Sequence, residues 1–331
     1  MSSQTTPTRR SALRATVCAA AAFIAAIAWQ PAAAQSAYPT KPIRLVVGFA
    51  PGGAADVLTR IMAQALGKQL GQPVIVDNKP GADGILAAQA VQQAAPDGYT
   101  LLLGTNTALV AVPALRPNPP YDPFKAFTPI SSAGQFSIFL VVPASLPAKN
   151  VAELLDLVAA SPGKYNSASS NSAAELAMVQ LLAGRKVVNV RYKGDVPALT
   201  DLVGGNIQMI FTTGTSAPPF VKDGRVRALM TLQPQRSALL PEVPTATELG
   251  FAKLTITPWA GFFGPAGMPA ELTERLSQEL RTALQRPDVR EQLAAQGFDG
   301  YGMTPAQFSA FFKLQWHSFT SVVRDNGIKF D

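Results

Sequence analysis

Apolar, β-branched runs alternate with stretches that carry apolar residues at helical spacing along nearly the whole chain. This is the pattern of sheets covered by helices. Ile43-Arg44-Leu45-Val46-Val47 predicts a buried strand. A helix follows over 54–70, with Val57, Ile61, Ala65 and Leu66 at helical spacing and Gly71 to end it. Strand 74–76, helix 84–95 and strand 99–103 continue the series in units of about 25–30 residues, the size of a right-handed βαβ crossover. Beyond the Pro-rich stretch 113–129 a second series begins. Its predicted strands are 138–142, 164–167, 187–192, 207–211 and 226–232, and its helices are 152–160, 173–182 and 198–203. A strand over 254–263 is expected to return toward the first series, followed by helices over 270–284, 289–296 and 305–324.

A chain of 331 residues exceeds the usual size of one hydrophobic core. The terminal helices are too many for the second series alone. The expected arrangement is therefore α/β with two lobes, each a mostly parallel sheet flanked by helices. Lobe 1 is discontinuous, 35–138 with 258–331, and lobe 2 is 139–257. Two sequential domains is the alternative.

The first residues do not fit this scheme. Arg9, Arg10 and Arg14 precede an uncharged apolar run from Ala15 to Trp29, and Ala32-Ala33-Ala34 follows. That order reads as an export signal over 1–34, cleaved before Gln35. The run is shorter than the roughly 20 residues that a membrane span needs. Thr8-Arg9-Arg10-Ser11-Ala12-Leu13 weakly resembles a twin-arginine signal, so the Sec and twin-arginine routes both stand. No later segment is apolar enough to insert, so a mature chain that is soluble and monomeric is expected. Without the signal, the formal charge falls from +7 to +4 and Cys18 is lost. Basic residues are scattered singly, which argues against nucleic acid. A chain without cysteine forms no disulfide, thiolate metal site or cysteine nucleophile.

Catalytic motifs are missing as well. The one histidine, His317, lies in the aromatic-rich terminal helix, where a packing or surface role is the ordinary reading. The chain has no Gly-x-Ser-x-Gly elbow, no histidine pair for zinc, no Walker loop and no dinucleotide fingerprint after the first strand. No metal and no cofactor is expected.

The positive signals sit where predicted strands give way to helices. Gly48-Phe49-Ala50-Pro51-Gly52-Gly53-Ala54-Ala55-Asp56 brings a glycine turn to a helix start, where unpaired N–H groups and the helix dipole favour an anion. A plain strand-to-helix turn reads equally well. The loop 77–84, with Asp83, repeats the arrangement, and Thr105-Asn106-Thr107 leaves the third strand. In a doubly wound sheet such loops share the carboxyl edge where ligands bind. In the second series Ser167, Ser169, Ser170, Asn171 and Ser172 lead into a helix, and Thr213 follows another strand. These side chains suit hydrogen bonding to an anion, although Asn171 or Ser172 also reads as an ordinary helix cap. Phe49, Trp259 and Phe262 are candidate apolar walls, with core packing the plainer reading for Phe262.

Seven segments carry a wider resemblance: PTKPIRLVVGFAPGGAAD, DNKPGADG, APDGYTLLLG, YNSASSNSAAEL, VRYKGDVPALTDLVGGNIQMIF, PEVPTATELGF and PWAGFFGPAGMP. In that order they resemble the periplasmic solute receptors of tripartite tricarboxylate transporters, the Bug proteins. The resemblance implies a Venus-flytrap receptor without cofactor or catalysis, which delivers solute to membrane permease subunits. It also implies that carboxylates are held by loop backbone groups and bridging waters, from 49–56 in lobe 1 and 167–172 in lobe 2. The candidate ligand-binding set is Phe49, Gly52, Gly53, Ala54, Ala55, Asp56, Asp83, Thr105, Asn106, Ser167, Ser169, Ser170, Asn171, Ser172, Thr213 and Trp259.

Several positions depart from the family pattern. Lys79 stands where Arg is usual, Asp83, Ser169 and Asn171 where Gly is usual, Glu175 for His and Arg191 for Pro. Carboxylates at 83 and 175 would oppose a polyanion if they faced the cleft, so an amino acid, a monocarboxylate or an aromatic acid joins the citrate-like ligands. Two rival functions remain. One is an exported enzyme acting on a small acid through Asp56 or Glu175; the other is a sensory receptor on the same fold.

Overall fold

The computed structural model describes residues 38–325 apart from 117, 252, 253 and 255–257. The expected signal over 1–34 lies outside the described residues, as does part of the strand expected over 254–263. Two sheets organise the chain from Lys41 onward. The six-stranded sheet contains β1 (Ile43–Val47), β2 (Val74–Asn78), β3 (Thr100–Thr105), β4 (Phe127–Phe136), β10 (Trp259–Pro265) and β11 (Phe298–Gly300). Its spatial order is β11-β4-β10-β3-β1-β2. The five-stranded sheet contains β5 (Ile138–Pro143), β6 (Asn166–Ser169), β7 (Val188–Arg191), β8 (Met209–Thr213) and β9 (Val226–Thr231), in the order β7-β6-β8-β5-β9.

Both sheets are mixed. β1 runs parallel to β2 and β3, and β6 runs parallel to β7 and β8. The strands at which the chain changes sheet are antiparallel to their neighbours: β10 to β3 and β4, and β5 to β8 and β9. The parallel half of each sheet therefore presents strand ends followed by helix starts, the kind of edge at which open α/β sheets bind ligands.

Burial explains the strands. In β1 only Arg44 is exposed, as expected for a strand covered on both faces. β5 divides its apolar residues between two layers. Ile138, Leu140 and Val142 join a core with α5 (Val151–Ala160) and α6 (Ser172–Leu182). Phe139 and Val141 join a core with α7 (Asp195–Val203). α1 (Ala54–Leu70) buries Leu58, Met62 and Leu66 on one face and ends at Gly71 in the left-handed conformation, φ 67°. A single-turn 3₁₀ segment, Ala82–Gly84, opens α2 (Ile85–Gln92).

The Pro-rich stretch holds more structure than expected. After β3 the chain enters a buried π-helical turn, Thr107–Ala111, which continues as α3 (Val112–Leu115). Then come α4 (Pro123–Ala126) and the ten-residue strand β4. The breakers in β4 sit where its pairing with β10 slips: register shifts fall between Ala260 and Gly261, opposite Gly134 and Ser132, and between Phe262 and Phe263, opposite Ser131 and Pro129. A bulge accommodates a proline that regular pairing would reject. Likewise Pro218 and Pro219 open a short helix, α8 (Ala217–Lys222), which breaker residues disguise.

α9 (Ala270–Gln285), α10 (Pro287–Ala295) and α11 (Pro305–Asp325) close the described chain, and α9 and α11 pack on β4. No helix among the described residues is long and apolar enough to cross a membrane. Nor do they include a group of three or more His, Cys, Asp or Glu residues placed to hold a metal.

Candidate functional site

Three strand exits of the first sheet are packed into one place by small residues. A Cβ added to Gly48, just after β1, would lie 2.6 Å from the Cα of Gly84, at the start of α2. A Cβ added to Gly84 would lie 3.1 Å from the Cβ of Ala108, in the turn after β3. Only the absence of side chains at 48 and 84 lets these backbones meet. The loops after β1, β2 and β3 thus form one surface at the carboxyl edge.

A buried carboxylate pins the first loop. Asp56, 2% exposed, accepts the Gly52 N–H at 2.8 Å, the Asn78 amide at 2.8 Å and the Arg60 Nε at 2.9 Å. Asn78, the last residue of β2, also donates to the Phe49 carbonyl at 3.0 Å. Burial alone would raise the Asp56 pKa. The hydrogen bonds from Arg60, Gly52 and Asn78, with the Arg60 charge, outweigh it and hold the carboxyl below its ordinary value. Asp56 is therefore ionised, with both oxygens engaged inside the loop. What the loop offers outward is backbone. Gly53 occupies the N-cap of α1 without a side chain, Gly52 and Gly53 are exposed, and the N–H groups of Ala54, Ala55 and Asp56 have no intrahelical acceptor.

The other first-sheet candidates separate by burial. Phe49 is half-buried beside the loop. Ala82 and Asp83, both exposed, take left-handed backbone angles, φ 48° and 58°, that non-glycine residues seldom adopt. Thr105 and Asn106 are 4% and 5% exposed, and the Thr105 hydroxyl is buried with no hydrogen-bond partner. Trp259, the first residue of β10, is 1% exposed. Its ring packs on Phe263, Phe308, Phe311 and Phe312, and its Nε1 is likewise unpartnered. Trp259 is thus a buried floor rather than an open wall, because the terminal helix α11 supplies the aromatic rings that cover it. Phe262 is fully buried.

In the second sheet a carboxylate again organises the loops. Asp195, the first residue of α7, accepts the Ser170 hydroxyl, the Thr213 N–H at 2.8 Å and the Thr213 hydroxyl at 2.6 Å. It ties the loop after β6 to the loop after β8. Ser167 and Ser169 are buried and bracket Asn189, at 3.2 and 2.9 Å, so their hydroxyls serve the interior. Asn171 caps α6 by accepting the Ala174 N–H at 2.9 Å. Ser170, Asn171 and Ser172 stay half-buried at the surface of the turn. Glu175 and Arg191 answer one another: Arg191 donates to Glu175 from both Nε, at 2.9 Å, and a terminal nitrogen, at 3.1 Å.

The two loop sets lie along one seam. Ala173 and Leu176 of α6 share a hydrophobic core with Ala108, Leu109 and Trp259 of the first sheet. The start of α6 is packed on the turn that follows Thr105 and Asn106. Asp195 and Asn78 had not stood out in the sequence. Each is a polar residue at an element boundary, and nothing local marks one that bonds across to another loop. His317 is exposed on α11 and takes no part.

The family model of the tripartite tricarboxylate transporter family receptor matches residues 58–328. The chain belongs to that receptor family. The receptor is 33% identical to Protein BugT of Bordetella pertussis over 312 residues, 93% of this chain and 96% of that one. Among solved structures it is similar to an R. palustris protein with adipate, TM-score 0.80 and 27% identity, covering 88% of this chain and 99% of that one. It is also similar to MatC from Rhodopseudomonas palustris with bound malate, TM-score 0.74 and 29% identity, covering 86% and 100%. The two-lobed α/β architecture is therefore that of a solute-binding receptor.

Proposed function

We propose that the receptor captures a small carboxylate-bearing solute at the seam between its two sheets and passes it to the permease subunits of a tripartite tricarboxylate-type transporter. The observation that carries this is the start of α1. A side-chain-free N-cap and three N–H groups without helical acceptors are presented by a loop that Asp56 and Asn78 hold rigid. A carboxylate placed there accepts these N–H groups in the favourable field of the helix terminus. Adipate and malate in two relatives support the same ligand class.

The lobes we assign are 35–138 with 258–331, and 139–257. Solute docks first on the loop 49–56. Closure brings the second-sheet turn, Ser170 to Ser172 at the start of α6, against its far end and expels water, which strengthens each hydrogen bond. Glu175 does not oppose an anion, because Arg191 neutralises it. Asp83 remains as an exposed carboxylate at the first-sheet rim and favours ligands of low charge, or ones with an amino group. Residues 1–34 act as the export signal to the periplasm. Asp56 and Glu175, the carboxylates a hydrolytic reading would use, are each held in an ion pair, so we assign no catalytic role to either.

Native mass spectrometry of the purified receptor, followed by calorimetric titration with the released solute, tests this reading. It predicts one carboxylate bound per chain, without turnover. A co-purified solute lacking any carboxylate would contradict it.

A further inference from the structure

The chain passes from the first sheet to the second at Ser137, and this residue is gripped from both sides. Its N–H donates to the Gly297 carbonyl at 2.6 Å, and its own carbonyl accepts the Gly214 N–H at 2.8 Å. Gly214 and Gly297 meet directly: a Cβ on Gly297 would lie 3.0 Å from the Gly214 Cα. The contact ties the crossover between the sheets to the turns after β8 and before β11. On one flank of it, in both strand orders, lie β1, β3, β6 and β8 with the loops described above. On the other lie β11 and the exit of β9.

A separate cavity of about 410 Å³ opens on that second flank. The first sheet's side contributes Gln135, Arg290 and Tyr301, and the chain leaving β9 contributes Gln233, Arg236 and Ser237. Its lining includes two arginines and a single carboxylate, Asp299. Arg236 is held by Glu248 at 3.0 Å, whereas Arg290 forms no ion pair among the described residues. Gln233 and Ser237 are fixed through Ser137, at 2.9 and 3.0 Å. The cavity is thus polar, has a cationic edge, falls within the usual size range for a small ligand and is walled by the first sheet, α10 and the segment that leaves β9.

We propose that this rear cavity is a second binding site, for a small oxyanion, with Arg290 as its principal charge contact. A ligand there would bridge the first sheet and the segment leaving β9, beside the crossover at Ser137. The site uses none of the loops assigned to the solute.

Amide chemical shifts of the full chain, titrated with malonate and separately with inorganic phosphate, test the proposal. Saturable shifts are expected at 233–238 and 298–301 with one or both probes. A response to malonate alone assigns a carboxylate, and a response to phosphate alone assigns a phosphate. The same shifts should persist in Gly53→Asp, where the front loop is blocked. Arg290→Glu should weaken them at least about tenfold, the scale of one lost charge-assisted hydrogen bond. Ala294→Trp, at an exposed position on the cavity wall, should block both probes without touching the core. No saturable shift with either probe, shifts unchanged in Arg290→Glu or in Ala294→Trp, or shifts abolished by Gly53→Asp would each overturn it.

Discussion

Asp56 looks like a ligand group in the sequence and acts as a staple in the fold. Its carboxylate takes up the Gly52 N–H, the Asn78 amide and the Arg60 guanidinium, leaving the backbone of the loop to face outward. Because its folded pKa is depressed, the stability it contributes is present above the unfolded value and is lost as pH falls through the folded one. Asp56→Asn should therefore lower stability at neutral pH by about 1–3 kcal/mol, toward the low end because Arg60 is half-exposed and screened. It should also flatten the acid limb of the unfolding curve, which denaturant titrations at several pH values would reveal. An acid limb as steep as that of the parent would count against the staple.

Asp83 illustrates a different cost at the same scale. Its left-handed backbone is one that glycine adopts without strain, so Asp83→Gly should raise stability by up to about 1 kcal/mol. Thermal unfolding checks this, and a lower Tm would show that the carboxylate has a compensating partner. Both residues show where single-sequence reading stops. The composition of 49–56 and 77–84 revealed glycine turns and helix starts, but the Asp56–Asn78 bond joins residues 22 apart and has no local signature.

Among the elements, regular ones were legible and interrupted ones were not. β1 and α1 follow their apolar periods to Gly71, because their pairing and packing are unbroken. β4 begins inside the Pro-rich stretch and has no strand assigned to it from the sequence, because Pro129 and Gly134 sit at slips in its pairing with β10. The turn after β3, a binding candidate in the sequence, is a π-helical segment from Thr107 to Ala111 buried under α6 and α11. The convergence of loops also belongs to this scale, since it depends on Gly48 and Gly84 touching. Gly48→Val should force them apart and cost about 1–3 kcal/mol, as overpacking does elsewhere. Solute affinity should fall with it, even where the protein remains folded. Calorimetry on the folded variant checks this, and full affinity would mean the first two loops need not touch.

For the whole molecule, the division of labour follows from topology. Parallel strands bring helix starts to one edge of each sheet, antiparallel strands carry the chain between sheets, and a close glycine pair braces the crossover. Two carboxylates, Asp56 and Asp195, each tie together the loops of one sheet, which fixes the backbone of the loops proposed to hold the solute. Such preorganisation reduces the entropy lost on binding.

The most direct measurement is calorimetric titration of the parent and Gly53→Asp with malate, adipate and the co-purified solute. At Gly53 the backbone, φ −77° and ψ 165°, is one any residue adopts, and a new Cβ would meet nothing closer than 3.6 Å. The aspartate would cap α1 with its own carboxylate and occupy the place proposed for the solute. The account predicts saturable one-to-one binding of at least one carboxylate by the parent. It predicts no detectable binding by the variant, whose Tm is unchanged or higher. Undiminished affinity in a folded Gly53→Asp would contradict it.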